Sequence, residues 1–209
     1  MRLRCPVVTP ASFRSFLPFL SFAPSRVMSV IASVLVFACA VHASAVFADN
    51  AFTVTSTSFR AGGTVNNAQV FDRDDCNGNN HSPQLSWHNP PDGTRSFAIT
   101  IFDPDAPGRG WWHWAVVGIP ANVDRLPENA SASGFLKKLG AVEARNDFDI
   151  DGYGGPCPPP GKPHRYVITV YALSTPNLRL AQGRPSVMFD HEISTATLGY
   201  ARMTVMYGR

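Results

Sequence analysis

RSFAITIFDPDAP, residues 95–107, is the stretch from which the fold is read. Arg95 to Phe102 is apolar at most positions and rich in β-branched and aromatic side chains. It is short for a helix, and its lack of alternation describes a strand buried on both faces. The chain then turns sharply. Asp103-Pro104-Asp105-Ala106-Pro107 sets two carboxylates one residue apart, with prolines between and after them. Proline fixes φ and withholds an amide donor, so this acidic corner is stiff before any ligand arrives. Ala106-Pro107 is a candidate cis bond.

Working outward, further strands are expected over Ala51 to Arg60, Pro83 to Trp87, His113 to Ile119, Arg165 to Leu173 and Met203 to Tyr207. Gly62-Gly63 and Pro90-Pro91-Asp92-Gly93 mark breaks and turns. Pro185 to Tyr200 is the best helix, with a proline at its start and apolar residues at helical spacing. Eighteen prolines and sixteen glycines agree with many short strands joined by long loops. The fold class that follows is mostly β, a Greek-key β-sandwich with one or two short helices. A hydrophobic content of 44% over 209 residues suits one domain with a real core.

The first 48 residues differ from the rest. They hold Arg2, Arg4, Arg14 and Arg26 but no acidic residue, then an apolar run from Val27 to Val41, then small residues up to Ala48. That order describes a secretory signal peptide over 1–48, ahead of a domain over 49–209. The apolar run is shorter than the roughly 20 residues of a membrane span, so a retained anchor is the second choice. Cys39 is a poor lipid acceptor, because bulky Phe37 stands where a small residue is needed. Four of the 18 basic residues lie in this segment, leaving 14 basic against 15 acidic and a net charge of −1. No basic patch remains for nucleic acid. Cys76 and Cys157 are the two cysteines of the domain and, in an exported chain, are expected to form a disulfide. The expected location is periplasmic or secreted, with membrane contact only through an uncleaved signal.

Two more loop segments carry chemistry. Trp111-Trp112-His113-Trp114 places a histidine among indoles at a strand start. The stiff loop from Gly154 to Pro163 delivers His164 and Tyr166 onto the next strand. Both histidines and the aspartate pair lie where loops meet apolar strands, which is where sites are built.

These segments, in this order, resemble the phosphatidylethanolamine-binding proteins, also called Raf kinase inhibitor-like proteins, and among them the bacterial YbhB/YbcL-type branch. Asn80-His81-Ser82-Pro83-Gln84-Leu85-Ser86-Trp87, Pro127-Glu128-Asn129, Arg145-Asn146-Asp147-Phe148 and Tyr207-Gly208-Arg209 support the resemblance, which runs from about Phe52 to Arg209. It implies the family's β-sandwich. It also implies an anion pocket lined by Asp103, Asp105, His113, Gly155, Pro156, His164 and Tyr166, with Trp111 and Trp112 at the rim. In that pocket Gly155 would let backbone amides approach an anion. The histidines would donate to it, and the aspartates would orient them and raise their pKa. Asp149 and Asp151 depart from the pattern by adding carboxylates near the approach. The C-terminal helix that closes the pocket in eukaryotic members has no clear counterpart, so their kinase-inhibitor role is not carried over.

The expected function is therefore that of an exported, non-enzymatic binding protein. Its ligand would be a small anionic or phosphorylated molecule, such as a phospholipid head group, and it would use no cofactor or metal. The alternative is an inhibitor or regulator of a protease or kinase, a protein partner meeting the pocket rim. A hydrolase built on the two histidines and two aspartates ranks third, because no H-E-x-x-H or G-x-S-x-G pattern occurs.

Overall fold

The computed structural model describes residues 51–209, so the expected signal segment lies outside the described residues. Two antiparallel sheets form the body. One has three strands in the order β1-β2-β5: β1 (Thr53–Thr55), β2 (Leu85–His88) and β5 (Arg125–Leu126). The other has five in the order β6-β4-β3-β7-β8: β6 (Val142–Glu143), β4 (Trp111–Pro120), β3 (Ser96–Asp103), β7 (His164–Leu173) and β8 (Thr197–Tyr207). Two helices complete it, α1 (Phe135–Leu139) and α2 (Ser186–Ala196). The protein is mostly β with two short helices.

The apolar run read first is the middle of the five-stranded sheet. Strand β3 pairs with β4 on one side and β7 on the other, so it is covered at both edges and on both faces. Period-2 alternation sends Phe97, Ile99 and Ile101 to one side, where Tyr166, Ile168 and Val170 of β7 join them. The small sheet closes over this side with Leu85, Trp87 and Leu126, giving a sandwich core. On the reverse side Ala98, Ala115 and Val117 are small enough for α2 to approach, and Phe189 and Ile193 of the helix pack there.

Strand β4 departs twice from regular pairing with β3. Phe97 faces Ile119 while Ile99 faces Val116, so two residues of β4 oppose Ala98. One of them is Gly118 at φ 77°, the left-handed conformation such a bulge asks of a glycine. The second shift lies between Ile101, facing Trp114, and Phe102, facing Trp112. The extra residue there is His113.

Several expected boundaries moved. The first strand was expected through Arg60 but ends at Thr55. Beyond it Gln84 takes over the pairing: its carbonyl accepts from the Ser56 hydroxyl, and its Oε1 accepts from the Thr57 backbone N–H at 2.8 Å. The helix expected through Tyr200 stops at Ala196, and Thr197 begins a strand of 11 residues. Ten register positions along β7 outweigh weak helical periodicity there. Strands β5 and β6, two residues each, and the five-residue α1 gave no sequence signal. Ala106-Pro107 is trans, as is every peptide bond among the described residues.

Cys76 and Cys157 are joined, with Cα atoms 5.8 Å apart across a sequence separation of 81. The bridge ties the loop ahead of β2 to the proline-rich loop ahead of β7. A loop of that length removes about 4 kcal/mol of unfolded-state entropy in the chain model. Replacing both cysteines by serine is expected to lower the unfolding free energy by about that amount in urea titrations, with the far-ultraviolet circular dichroism unchanged.

Candidate functional site

The β3–β7 ladder ends at Phe102 and Val167. Beyond it, side chains hold the two strand ends together. Asp103, buried to 3% exposure, accepts three N–H groups. Its Oδ1 takes the backbone amides of Asp105 at 2.8 Å and Ala106 at 3.1 Å, which fixes the proline corner. Its Oδ2 takes Nδ1–H of His164 at 2.7 Å. One carboxylate therefore shapes its own loop and orients an imidazole brought by another strand.

Asp105 works differently from the expectation. It meets no histidine and does not line the cavity. Its Oδ2 accepts the backbone N–H of Arg165 at 2.8 Å and Nε–H at 2.9 Å, and its Oδ1 accepts from the guanidinium at 2.7 Å. The Arg165 hydrogen bonds hold its carboxyl well below the usual carboxylate range. Asp105 extends the β3–β7 attachment past the last ladder pair and so steadies the segment that carries His164.

His113 reaches the cavity because of the bulge. Strict alternation would give Trp114 and His113 opposite faces. The extra residue lets Trp114 enter the core while His113 lines the cavity beside it. Nδ1 of His113 lies 2.7 Å from the Gly154 carbonyl, which can only accept, so Nδ1 carries the proton. The ring meets Phe148 and Tyr166 edge-on, with centroids 5.4 and 5.1 Å apart. Burial pushes its pKa down to about 4. At neutral pH it is an uncharged imidazole whose Nε2 accepts rather than donates. The expected raised pKa and charged donor are corrected for this residue: desolvation outweighs the attraction of Asp103.

Asp103, Trp111, His113, His164 and Tyr166 thus line one cavity of about 180 Å³. Gly155 and Pro156, also expected there, do not. The Gly155 amide donates to Asn80 Oδ1 at 2.8 Å, and a Cβ on Gly155 would stand 2.2 Å from the Gln69 carbonyl. Glycine is required at that position for backbone packing, leaving no free amide for an anion. Pro156 is buried beside it, its carbonyl accepting from Phe71. Trp112, expected at the rim, lies on the opposite face of the sheet against Phe102. Asp149 and Asp151 do not line the cavity, and both pair with Arg145, at 3.6 and 3.1 Å.

Phe148 and most of the far wall carry no sequence signal. Ala106, Pro107, Phe148 and the 157–159 segment make the walls largely apolar. Phe148 is set by Asn146, which is buried, donates to the Gly152 carbonyl at 2.9 Å and accepts from the Phe148 amide at 2.9 Å. Phe71 stacks on its ring at 4.1 Å. A lone phenylalanine in a loop carries no periodicity, so only tertiary contacts reveal its role.

Two polar atoms of residues that line the cavity lack a partner. The Tyr166 hydroxyl and the Trp111 Nε1–H are buried without a hydrogen bond. Burial, with Asp103 nearby, pushes the Tyr166 phenol far up, so its proton stays on. Both are donors. The lining brings Asp103, His113 and His164 to one cavity, yet among the described residues no three His, Cys, Asp or Glu side chains are grouped to hold a metal ion.

The sequence model of the phosphatidylethanolamine-binding protein family matches residues 55–208. YbcL of Escherichia coli (strain K12) is 42% identical over 160 residues, covering 75% of this chain and 87% of the relative. YbhB of the same organism is 37% identical, covering 73% and 97%. LppC of Mycobacterium tuberculosis (strain ATCC 25618 / H37Rv), a lipoprotein by name, is 35% identical, covering 61% and 60%. The crystal structure of Escherichia coli YbcL, described as a new member of the mammalian family, aligns with a TM-score of 0.73 and 41% identity over 76% of this chain and 98% of that one.

The buried imidazole makes a prediction. An unfolded histidine takes its proton near pH 6.5, whereas folded His113 takes it near 4. Between these values the unfolded state binds a proton that the folded state refuses. The contribution is present above pH 6.5 and is lost as pH falls toward 4, about 3 kcal/mol in all. Urea unfolding from pH 7.5 to 4 is expected to show that loss, and His113→Gln is expected to flatten it.

Proposed function

The chain belongs to the phosphatidylethanolamine-binding protein family, and on that premise we propose that it is an exported, non-enzymatic binding protein for a small anionic or phosphorylated ligand. The observation that carries this reading is the pair of unpartnered buried donors, Tyr166 O–H and Trp111 N–H, on residues lining the cavity that holds the Asp103–His164 pair. A buried donor without an acceptor costs about 1–3 kcal/mol, and an oxygen-rich anion supplies the missing acceptors. When His164 is protonated, Asp103 balances its charge from behind and the far side of the ring is a charged donor. His113, neutral and accepting, would take a hydroxyl or ammonium proton of the same ligand. A phosphoryl oxygen and an amine or hydroxyl a few bonds away describe a phospholipid head group such as phosphoethanolamine.

The size and walls favour a small group. A cavity of about 180 Å³ is below the 300–1,000 Å³ or so of drug-sized sites. The lining has no serine, threonine or free thiol to act as a nucleophile, because Cys157 is in the disulfide. That favours binding over turnover.

Export rests on the basic, then apolar, then small-residue order of the first 48 residues, and the Cys76–Cys157 bridge suits an oxidising compartment. The lipoprotein name of one relative points the same way.

Phosphoethanolamine and inorganic phosphate at millimolar concentration are expected to raise the melting temperature, and His164→Ala to abolish the shift. Tyr166→Phe and Trp111→Phe are each expected to weaken binding about tenfold in calorimetric titrations, the value of one hydrogen bond to a charged group. Unchanged affinity in both variants would remove the anion reading. For export, cell fractionation with intact-mass measurement is expected to find a chain beginning at Asp49 outside the cytoplasm; an uncleaved cytoplasmic chain overturns it.

A further inference from the structure

Helix α2 covers only part of the reverse side of the five-stranded sheet. Its Phe189 and Ile193 pack over Ala98, Ala115 and Val117. Past that patch lies a second cavity of about 400 Å³, which shares no lining residue with the first. Its size falls within the range of about 300–1,000 Å³ usual for small-molecule sites.

Strand register arranges its lining in rows. One row is apolar: Phe102 of β3 is paired with Trp112 of β4 and Val167 of β7. The row two residues along is polar: Thr100 of β3 is opposite Thr169 of β7, and Thr169 is opposite Arg202 of β8. Tyr171 and, from α2, Asp190 complete the lining.

The polar row is rich in donors. Arg202 Nε–H donates to the Thr169 hydroxyl at 3.1 Å, which leaves that hydroxyl its own proton to give. The guanidinium lies 4.8 Å from the centroid of the Tyr200 ring, which steadies it beside the row. Its remaining N–H groups meet no carboxylate among the described residues. Asp190 is the one carboxylate of the lining. Burial raises its pKa, and only the neighbouring His191 opposes that rise. Arg202 and Asp190 therefore border one cavity without neutralising each other.

We propose that this cavity binds a free α-amino acid with an apolar side chain, its carboxylate on Arg202 and the threonine hydroxyls and its ammonium on Asp190. A lone anion would leave Asp190 without a partner, and a lone cation would leave Arg202 without one. A zwitterion supplies both counter-charges, and each pairing is a charge-assisted hydrogen bond. The adjoining row of Trp112, Phe102 and Val167 gives the third substituent an apolar wall. The two cavities lie on opposite sides of the sheet, so this site is independent of the anion reading.

Titration of the protein with L-phenylalanine to about 20 mM, followed by nitrogen-15 NMR, reads the binding. Shifts are expected at Thr100, Thr169, Asp190 and the Trp112 indole N–H, and are expected to be the same in Tyr166→Phe, which alters only the first cavity. N-acetyl-L-phenylalanine lacks the ammonium and L-phenylalaninamide lacks the carboxylate; each is expected to bind about tenfold more weakly. Asp190→Asn is expected to abolish the preference for phenylalanine over its N-acetyl form, and Arg202→Gln the preference over the amide. Arg202 is exposed and Asp190 partly so, and unchanged melting curves show that both variants fold. The two derivatives test the same pairings on the unaltered protein. No shifts over the range, shifts confined to the first cavity, or equal binding of all three compounds overturns the proposal.

Discussion

The buried carboxylate of Asp103 is the point on which the site depends. It sits at the end of the most deeply buried strand, where the hydrogen-bonded ladder to β7 runs out one residue earlier. From there the backbone no longer holds the strands together, and a side chain must. Two amides of its own corner and the imidazole of His164 converge on it. A charge this deep is tolerated because its lone pairs are met. Without it the proline corner loses its internal bonds and His164 loses its orientation together. Asp105 and Arg165 add a second, more exposed fastening a little further out.

The two histidines are alike in sequence and opposite in use. His164 stands beside a carboxylate and near the opening. His113 is walled in by Phe148 and Tyr166 and spends one nitrogen on a backbone carbonyl. Burial keeps His113 neutral, so its Nε2 is an acceptor. The walls between are aromatic and proline side chains, which exclude water and strengthen each polar contact.

The supports of the cavity come from distant parts of the chain. Asn80 accepts from the Gly155 amide and the Gln69 carbonyl from the Tyr153 hydroxyl, and the Cys76–Cys157 bridge ties the proline-rich wall to the loop carrying Cys76. Arg209 reinforces the same junction, donating to the carbonyls of Pro158 at 2.6 Å and Asp75 at 3.4 Å. Stiff prolines and these cross-ties pre-form the pocket, which lowers the ordering cost of binding.

What the chain's letters determined on their own was the set of long strands, the disulfide partners and five of the residues that line the cavity. Each of these has a local cause. An unbroken apolar run makes a central strand, prolines make a stiff corner, and two cysteines left in the domain have only each other. The assignments to Asp103, Trp111, His113, His164 and Tyr166 were legible because they flank such strands. Tertiary structure alone decided the rest. A single extra residue in β4 turned His113 inward and left Trp112 on the far face, and one-residue slips of register are invisible in sequence. Phe148 was recruited by a buried asparagine in a loop with no periodicity. Asp105 was claimed by Arg165, Gly155 by backbone packing, and the tail of the expected helix by β7. In each case the outcome rested on which neighbour was nearest in space, and residues far apart in the chain supplied that neighbour.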